Sequence, residues 1–207
     1  MALKRFNRRA TQNIMSRVKR LFEAGFALVI IVVLTPVFLL IAVYIKMDST
    51  GPVFFKQARG GLKGRHFTIY KFRTMYQDIE KEQEDRLPLP DDDRITKSGA
   101  LLRRTSLDEL PQLINILKGE MSFIGPRPTL ASQTDQYNEY QMKRLEVKPG
   151  VTGLAQITGR NELSWTEKIE LDIEYIQKKS LKLDLSILLQ TFHKVLHSEG
   201  IYQKSIK

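Results

Sequence analysis

The sequence predicts an α-rich α+β fold: a re-entrant N-terminal membrane segment of helix, break and helix, then a small cytoplasmic domain with a short β-hairpin. Three observations predict it. One long apolar run lies near the N-terminus and carries a proline at its middle. Two β-rich stretches separated by a glycine-rich turn follow it. Beyond them the apolar residues recur at helical rather than strand spacing. The chain therefore divides into a basic juxtamembrane segment (1–20), the broken membrane helix (21–46) and one domain (47–207).

The run at 21–45 reads LFEAGFALVIIVVLTPVFLLIAVYI, with Glu23 its only charge. At about 1.5 Å per helical residue it matches a hydrocarbon core of about 30 Å. A cleaved signal peptide fits poorly, because the basic and apolar stretches are too long and no A-x-A-like site follows. Pro36 removes a backbone donor and Thr35 can bond back to a carbonyl, so the helix should turn at Thr35-Pro36, leaving two arms too short to span singly. Lys4, Arg5, Arg8, Arg9, Arg17, Lys19 and Arg20 precede the run; Lys46, Lys56, Arg59, Lys63 and Arg65 follow it. The positive-inside rule keeps both flanks cytoplasmic, which a helix that enters and leaves by the same face satisfies. A single straight span is the alternative. Both flanks can also grip anionic headgroups.

In the domain, residues 53–55 and 67–72 form the expected hairpin around the turn Arg59–Gly64. Residues 77–93, polar and acidic, read as a surface loop or short helix. Ser106 resembles an N-cap, with Glu109 at the capping-box spacing and Leu107, Leu110, Leu113, Ile114 and Leu117 on one helical face. Lys118-Gly119 closes that helix. Gly125-Pro126-Arg127-Pro128 must be irregular, a helix follows over 131–145, and 149–159 reads as glycine-punctuated and non-helical. Helices return at 165–178 and 184–197.

Composition limits the chemistry. The 207 residues are 42% hydrophobic, enough for a core. Cysteine is absent, which excludes a disulfide framework, a thiolate metal site and a cysteine nucleophile. Against 23 Asp and Glu stand 33 Lys and Arg, a formal charge of +10, so the partner is anionic: nucleic acid, a phosphate-bearing substrate or anionic lipid. Neither G-x-G-x-x-G nor G-x-x-x-x-G-K-[ST] occurs. His193 and His197 lie four apart but lack the H-E-x-x-H form of a zinc site, and His66 has no context.

The informative pair is Asp108-Glu109, just after Arg103-Arg104. Its ordinary reading is helix chemistry, with acids in a first turn. Adjacent carboxylates beside arginines also suit a Mg²⁺–diphosphate site, where the cations keep the acids ionised. Spacing alone leaves both readings open. Two prolines fix the backbone around Arg127, and arginine binds phosphate bidentately. Lys71 and Arg73 alternate with Tyr70 and Phe72, which puts both cations on one face of a strand.

These residues resemble the bacterial monotopic phosphoglycosyl transferases, the polyprenyl-phosphate sugar-1-phosphate transferase (bacterial sugar transferase) family, in its small form. The resemblance runs from about Leu21 to Leu196 on four ordered blocks: the helix broken at Thr35-Pro36; Gln57-Ala58-Arg59 through Ile69-Tyr70-Lys71-Phe72-Arg73-Thr74-Met75; Ser106-Leu107-Asp108-Glu109-Leu110-Pro111-Gln112 through Gly125-Pro126-Arg127-Pro128; and Lys148-Pro149-Gly150-Val151-Thr152-Gly153-Leu154-Ala155-Gln156. Thr35 stands where a serine is common, and Leu154 where an aromatic often follows.

The resemblance implies a monotopic enzyme on the cytoplasmic face of the bacterial inner membrane, with residues 47–207 a catalytic domain bearing interfacial helices. It would move a sugar-1-phosphate from a UDP-sugar to undecaprenyl phosphate, with Mg²⁺, giving undecaprenyl-diphospho-sugar and UMP through a covalent intermediate. It makes Asp108 the nucleophile and Glu109 its partner, with metal contacts from both. Lys71, Arg73, Arg103 and Arg127 become phosphate-binding residues. Asp172, in Leu171-Asp172-Ile173-Glu174-Tyr175, and Gln156 become weaker substrate contacts. Expected partners are the UDP-sugar, undecaprenyl phosphate and membrane lipids, not nucleic acid, and a homodimer is compatible. A lipid-diphosphate hydrolase and a membrane-tethered binder of anionic ligands are the alternatives.

Overall fold

The structure, a computed structural model, describes residues 2–76, 92–159 and 162–196, with side chains from residue 17 to residue 195 within those ranges. Most of the acidic stretch at 77–93 and His197 lie outside them.

Ala2–Asp48 form one helix, α1. The Thr35 hydroxyl donates to the Ile31 carbonyl at 2.9 Å, the back-bond expected beside a helix proline. Helical backbone nevertheless runs through Pro36, so the expected break is not a gap between two helices. The stretch Arg17–Asp48 is 32 residues, about 48 Å if straight, against a hydrocarbon core of about 30 Å. One stripe of α1 is covered: Glu23, Ala27, Ile41 and Ile45 are buried. Leu21, Phe22, Val29, Val32, Val33, Leu39, Leu40 and Met47 are exposed around it.

Strands β1 (Phe54–Gly60) and β2 (His66–Phe72) pair antiparallel, from Phe54 opposite Phe72 to Gly60 opposite His66. The hairpin is longer than its apolar residues suggested, because Lys56, Gln57 and Arg59 alternate across the pleat without being apolar. Helix α2 (Lys97–Thr105) starts where Thr96 Oγ1 accepts from Gly99 N–H at 2.9 Å. It ends at Ser106, whose φ of 56° is left-handed. Ser106 is thus a helix end, and the expected capping box with Glu109 is absent. A 3₁₀ turn, Leu107–Glu109, follows; then Pro111 starts helix α3 (Gln112–Lys118). Proline favours a helix start, which moves the origin of α3 beyond the acid pair. Gly119, at φ 86°, closes α3 as Lys118-Gly119 predicts.

Strand β3 (Ser122–Ile124) pairs parallel with β4 (Gly150–Thr152), and helix α6 (Leu154–Thr158) follows β4. The stretch 149–159 is therefore regular. Its glycines serve close approach rather than helix breaking: a Cβ on Gly150 would fall 2.1 Å from Gly125 N, and one on Gly153 2.2 Å from Gly125 O. Between β3 and β4 the helix expected over 131–145 divides into α4 (Ala131–Thr134), α5 (Glu139–Met142) and a 3₁₀ turn, with a capping box at Asn138–Gln141. Helix α7 (Trp165–Lys178) falls where expected, capped by Ser164 and Glu167; α8 runs Leu181–Leu196.

The α-rich reading with a small β element holds. Of three apolar clusters among the described residues, two include α1: Ala27 with Ile69, Leu113, Ile116 and Met121, and Ile41 and Ile45 with Phe72 and Leu102. The third joins Ile124, Ile157, Tyr175 and Ile187.

Candidate active site

The turn Leu107–Glu109 holds Asp108 and Glu109 against β2, both almost fully covered. Lys71 Nζ donates to Glu109 Oε1 at 2.9 Å and stands 3.9 Å from Asp108 Oδ2. Arg127 Nη2 donates to Glu109 Oε1 at 2.8 Å, with Nη1 3.5 Å from Oε2. Glu109 is therefore clamped from two elements, whereas Lys71 stands beyond hydrogen-bond reach of Asp108.

The two acids are driven apart in acidity. Burial pushes Glu109 up, but the Arg127 and Lys71 charges outweigh it and hold the carboxyl well below its usual range. For Asp108 burial prevails: its pKa is raised, with the Glu109 charge adding to the effect and Lys71, Arg103 and Arg127 opposing it. This corrects the sequence-based expectation of two carboxylates of low pKa, because cations can be counted in a sequence and burial cannot.

The register between Lys71 and Glu109 is set by Asn115, a residue the sequence did not single out. It is fully buried on α3. Its Oδ1 accepts from Tyr70 N–H at 3.1 Å; its Nδ2 donates to Thr68 O and to Glu120 Oε2, each at 2.7 Å. The carboxamide thus pairs with β2 as a neighbouring strand would. A polar residue between Leu113 and Ile116 was the available signal.

Arg127 sits on a loop held through its carbonyls, since Pro126 and Pro128 have no N–H to offer. Gly150 N–H donates to Pro126 O at 2.9 Å, Arg144 Nη2 to Arg127 O at 3.2 Å, Arg59 Nη1 to Pro128 O at 3.5 Å, and Gly60 N–H to Thr129 O at 3.0 Å. Arg144, also missed by the sequence reading, is buried and lies 5.0 Å from the Trp165 ring centroid and 5.8 Å from that of Tyr137. It donates to Tyr137 OH at 2.7 Å and to Asp172 Oδ2. Asp172 therefore stands behind Arg144, one residue removed from the Arg127 backbone. Burial pushes Asp172 up to about 6 against the pull of Arg144.

The other expected residues are placed as follows. Arg103 Nε donates to Thr74 Oγ1 at 2.9 Å, and its charge reaches Asp108. Arg73 is buried and ties the end of α1, donating to Ser49 O at 2.8 Å and to Thr50 O. It is not brought to the acid pair: its N–H still bonds Val53 O in line with the hairpin, but its guanidinium is taken by the carbonyls at the end of α1. Gln156 lies on α6 beside Gly153, with both amide atoms buried and unpartnered.

Among the described residues no group of three or more His, Cys, Asp or Glu is gathered. Mg²⁺ needs none: one or two carboxylates with substrate phosphates and waters suffice, and the hard oxygens of Asp108 and Glu109 fit that requirement.

A family profile described as bacterial sugar transferase matches residues 14–198. The chain is 49% identical over 185 residues to the uncharacterized sugar transferase EpsL of Bacillus subtilis, covering 89% of this chain and 90% of that one. It is 39% identical to the exopolysaccharide production protein ExoY of Rhizobium meliloti, covering 89% and 88%. With the UDP-glucose:undecaprenyl-phosphate glucose-1-phosphate transferase of Escherichia coli it shares 41% identity over 89% of this chain but only 41% of the relative.

Proposed function

The chain belongs to the bacterial sugar transferase family, and we propose that it transfers a sugar-1-phosphate from a UDP-sugar to undecaprenyl phosphate, giving undecaprenyl-diphospho-sugar and UMP. The observation that carries this reading is the asymmetry of the acid pair: two adjacent covered carboxylates, one clamped by Lys71 and Arg127, the other without such a clamp and raised in pKa. A raised pKa makes the ionised oxygen more basic and a better nucleophile.

In this reaction an Asp108 oxygen attacks the β-phosphorus of the UDP-sugar. The bond to the bridging oxygen breaks and UMP leaves with its electron pair. An undecaprenyl phosphate oxygen then attacks the same phosphorus and expels Asp108. Lys71, Arg127 and Arg103 offset the charge that gathers on the phosphoryl oxygens. Mg²⁺, held by Asp108 and Glu109 together with substrate phosphate, would supply further charge neutralisation.

The membrane reading draws on the same packing. Ala27 in the first arm of α1 and Ile41 and Ile45 in the second all pack on one domain, which supports both arms lying on one side of the bilayer rather than spanning it. We place the protein as a monotopic enzyme on the cytoplasmic face. The test is a screen for UMP release over a panel of UDP-sugars with undecaprenyl phosphate. Lipid-dependent UMP release from one donor is expected. Free sugar phosphate made without the lipid would identify a hydrolase instead.

A further inference from the structure

The segment Leu107–Lys118 carries the acid pair and touches α1 near both of its ends. At its start, Leu107 and Leu110, which flank Asp108-Glu109, pack against the apolar cluster of Ile41, Ile45, Phe72 and Leu102, whose first two members lie in the arm after Pro36. At its end, the carbonyls of Ile116 and Leu117 accept from Arg20 Nη1 at 2.8 Å and Nη2 at 2.6 Å, and Arg20 precedes Pro36. The fork fills the last turn of α3 and adds a cation where the helix dipole favours one. It lies flat on Gly119: a Cβ there would fall 2.7 Å from Arg20 Nε. The guanidinium is therefore seated on a helix end that leaves no room for a side chain of its own.

Pro36 lies between these two contacts and lacks the backbone donor that would stiffen the helix. The surface around it, Val32, Val33, Leu39 and Leu40, is apolar and exposed. A bilayer bearing on that surface would load α1 on both sides of Pro36, and the load would reach the catalytic turn at two points, one apolar and one through Arg20. Asn115 pins α3 to β2 between them and Lys71 ties β2 to Glu109, so strain entering at either contact falls on the short turn 107–109 that carries the acids. Displacements of about 1 Å in a reacting geometry can cost about 10²-fold in rate.

We propose that Arg20 is a positioning residue that couples the seating of α1 in the bilayer to the geometry of the Asp108–Glu109 turn, so that turnover responds to membrane thickness. The proposal rests on the transferase and membrane readings above. It goes beyond them in assigning part of the catalytic geometry to a residue of the membrane helix that touches no substrate.

The test reconstitutes full-length wild type, Arg20→Gln and Arg20→Lys in nanodiscs of dimyristoyl, dioleoyl or dierucoyl phosphatidylcholine, which form bilayers of increasing thickness. Two readouts are taken from each: steady-state UMP release, and hydrogen exchange of the peptide covering Leu107–Gly119. Wild-type kcat should vary at least about threefold across the series. Arg20→Gln should lower kcat about tenfold with KM for the UDP-sugar within about twofold, and flatten the thickness dependence. Arg20→Lys keeps the charge without the fork and should recover part of both. Exchange should rise in Arg20→Gln at Leu107–Gly119 and not at Trp165–Lys178. Unchanged kcat and unchanged exchange in Arg20→Gln would overturn the proposal. So would a kcat loss equal in all three lipids with the thickness dependence retained, which would make Arg20 an ordinary helix cap. If no donor supports turnover even in wild type, the transferase reading fails, while the exchange data still decide the coupling.

Discussion

Lys71 donates to Glu109 across 2.9 Å, joining strand β2 to the turn that precedes α3. The contact is covered, and Arg127 closes on the same carboxylate oxygen from the far side. Removing one partner of such a cluster leaves a covered charge uncompensated, which costs about 2–5 kcal/mol. Lys71→Met should therefore lower kcat/KM by about 10²- to 10³-fold. Lys71→Arg should lose less. Steady-state kinetics at a temperature where each variant is shown to be folded checks this, and a rate within about twofold of wild type would remove Lys71 from the site.

Arg127 meets Glu109 with both terminal nitrogens, at 2.8 and 3.5 Å. Lysine keeps the charge and loses the planar fork. Arg127→Lys should cost about tenfold in kcat or more, and Arg127→Ala about 10²-fold or more. Arg127→Lys keeps a cation beside the covered Glu109 carboxylate, so the melting midpoint of that variant should hold. A melting midpoint that falls with the rate would make Arg127 a structural turn residue.

Local chemistry was legible in the sequence wherever one residue type meets one backbone need. Gly119 closing α3 and Thr35 bonding back beside Pro36 both depend on neighbours within four residues. What failed depends on contacts between distant segments. Ser106-x-x-Glu109 has the capping-box pattern, yet Glu109 is taken by Lys71 and Arg127, 38 and 18 residues away. Gly150 and Gly153 look like helix breakers and prove to be places where Gly125 passes within van der Waals contact. Arg73 shares a motif with Lys71, but Ser49 and Thr50, 24 and 23 residues away, claim its guanidinium. Asn115 and Arg144 were overlooked because their work is to hold other residues, which no local pattern announces.

Asp172 offers a pH-dependent readout independent of activity. Burial pushes its pKa up to about 6, well above the ordinary aspartate value. The folded pKa being the raised one, protonation favours the folded state: the stabilisation is complete below the ordinary value and is lost as pH rises through about 6. The hold on Arg144 runs the other way, weakening as pH falls through about 6. Arg144 lies on the ring of Trp165, the only tryptophan in the chain. Trp165 emission should therefore titrate near pH 6, and the step should vanish in Asp172→Asn. A step that survives the substitution would assign the titration to another group. At neutral pH Asp172→Asn should also lower kcat/KM about tenfold by loosening the Arg127 loop.

The topology is testable because the chain has no cysteine of its own. Cysteines placed at Ala2 and at Lys207 should both resist a membrane-impermeant maleimide applied to intact spheroplasts, and both should react after lysis. Pro36→Leu restores a helix donor and should straighten α1, exposing the N-terminal site to the reagent. Labelling of the N-terminal cysteine in the unsubstituted helix would establish a spanning topology.

Asp108 as nucleophile makes the most specific claim. If it only helped to hold a metal, undecaprenyl phosphate would attack the UDP-sugar directly with both substrates bound. If it attacks, UMP leaves first and the sugar phosphate remains on the enzyme as an acyl phosphate. The structure separates the acids in the manner the second scheme needs, Glu109 fixed by two cations and Asp108 raised in pKa by burial. Asp108→Asn should abolish turnover under either scheme, so the kinetic pattern must decide. A nucleophile gives parallel double-reciprocal lines when both substrates vary, together with exchange of labelled UMP into UDP-sugar without lipid. Intersecting lines with no exchange would show that both substrates react directly with each other and that Asp108 carries no intermediate.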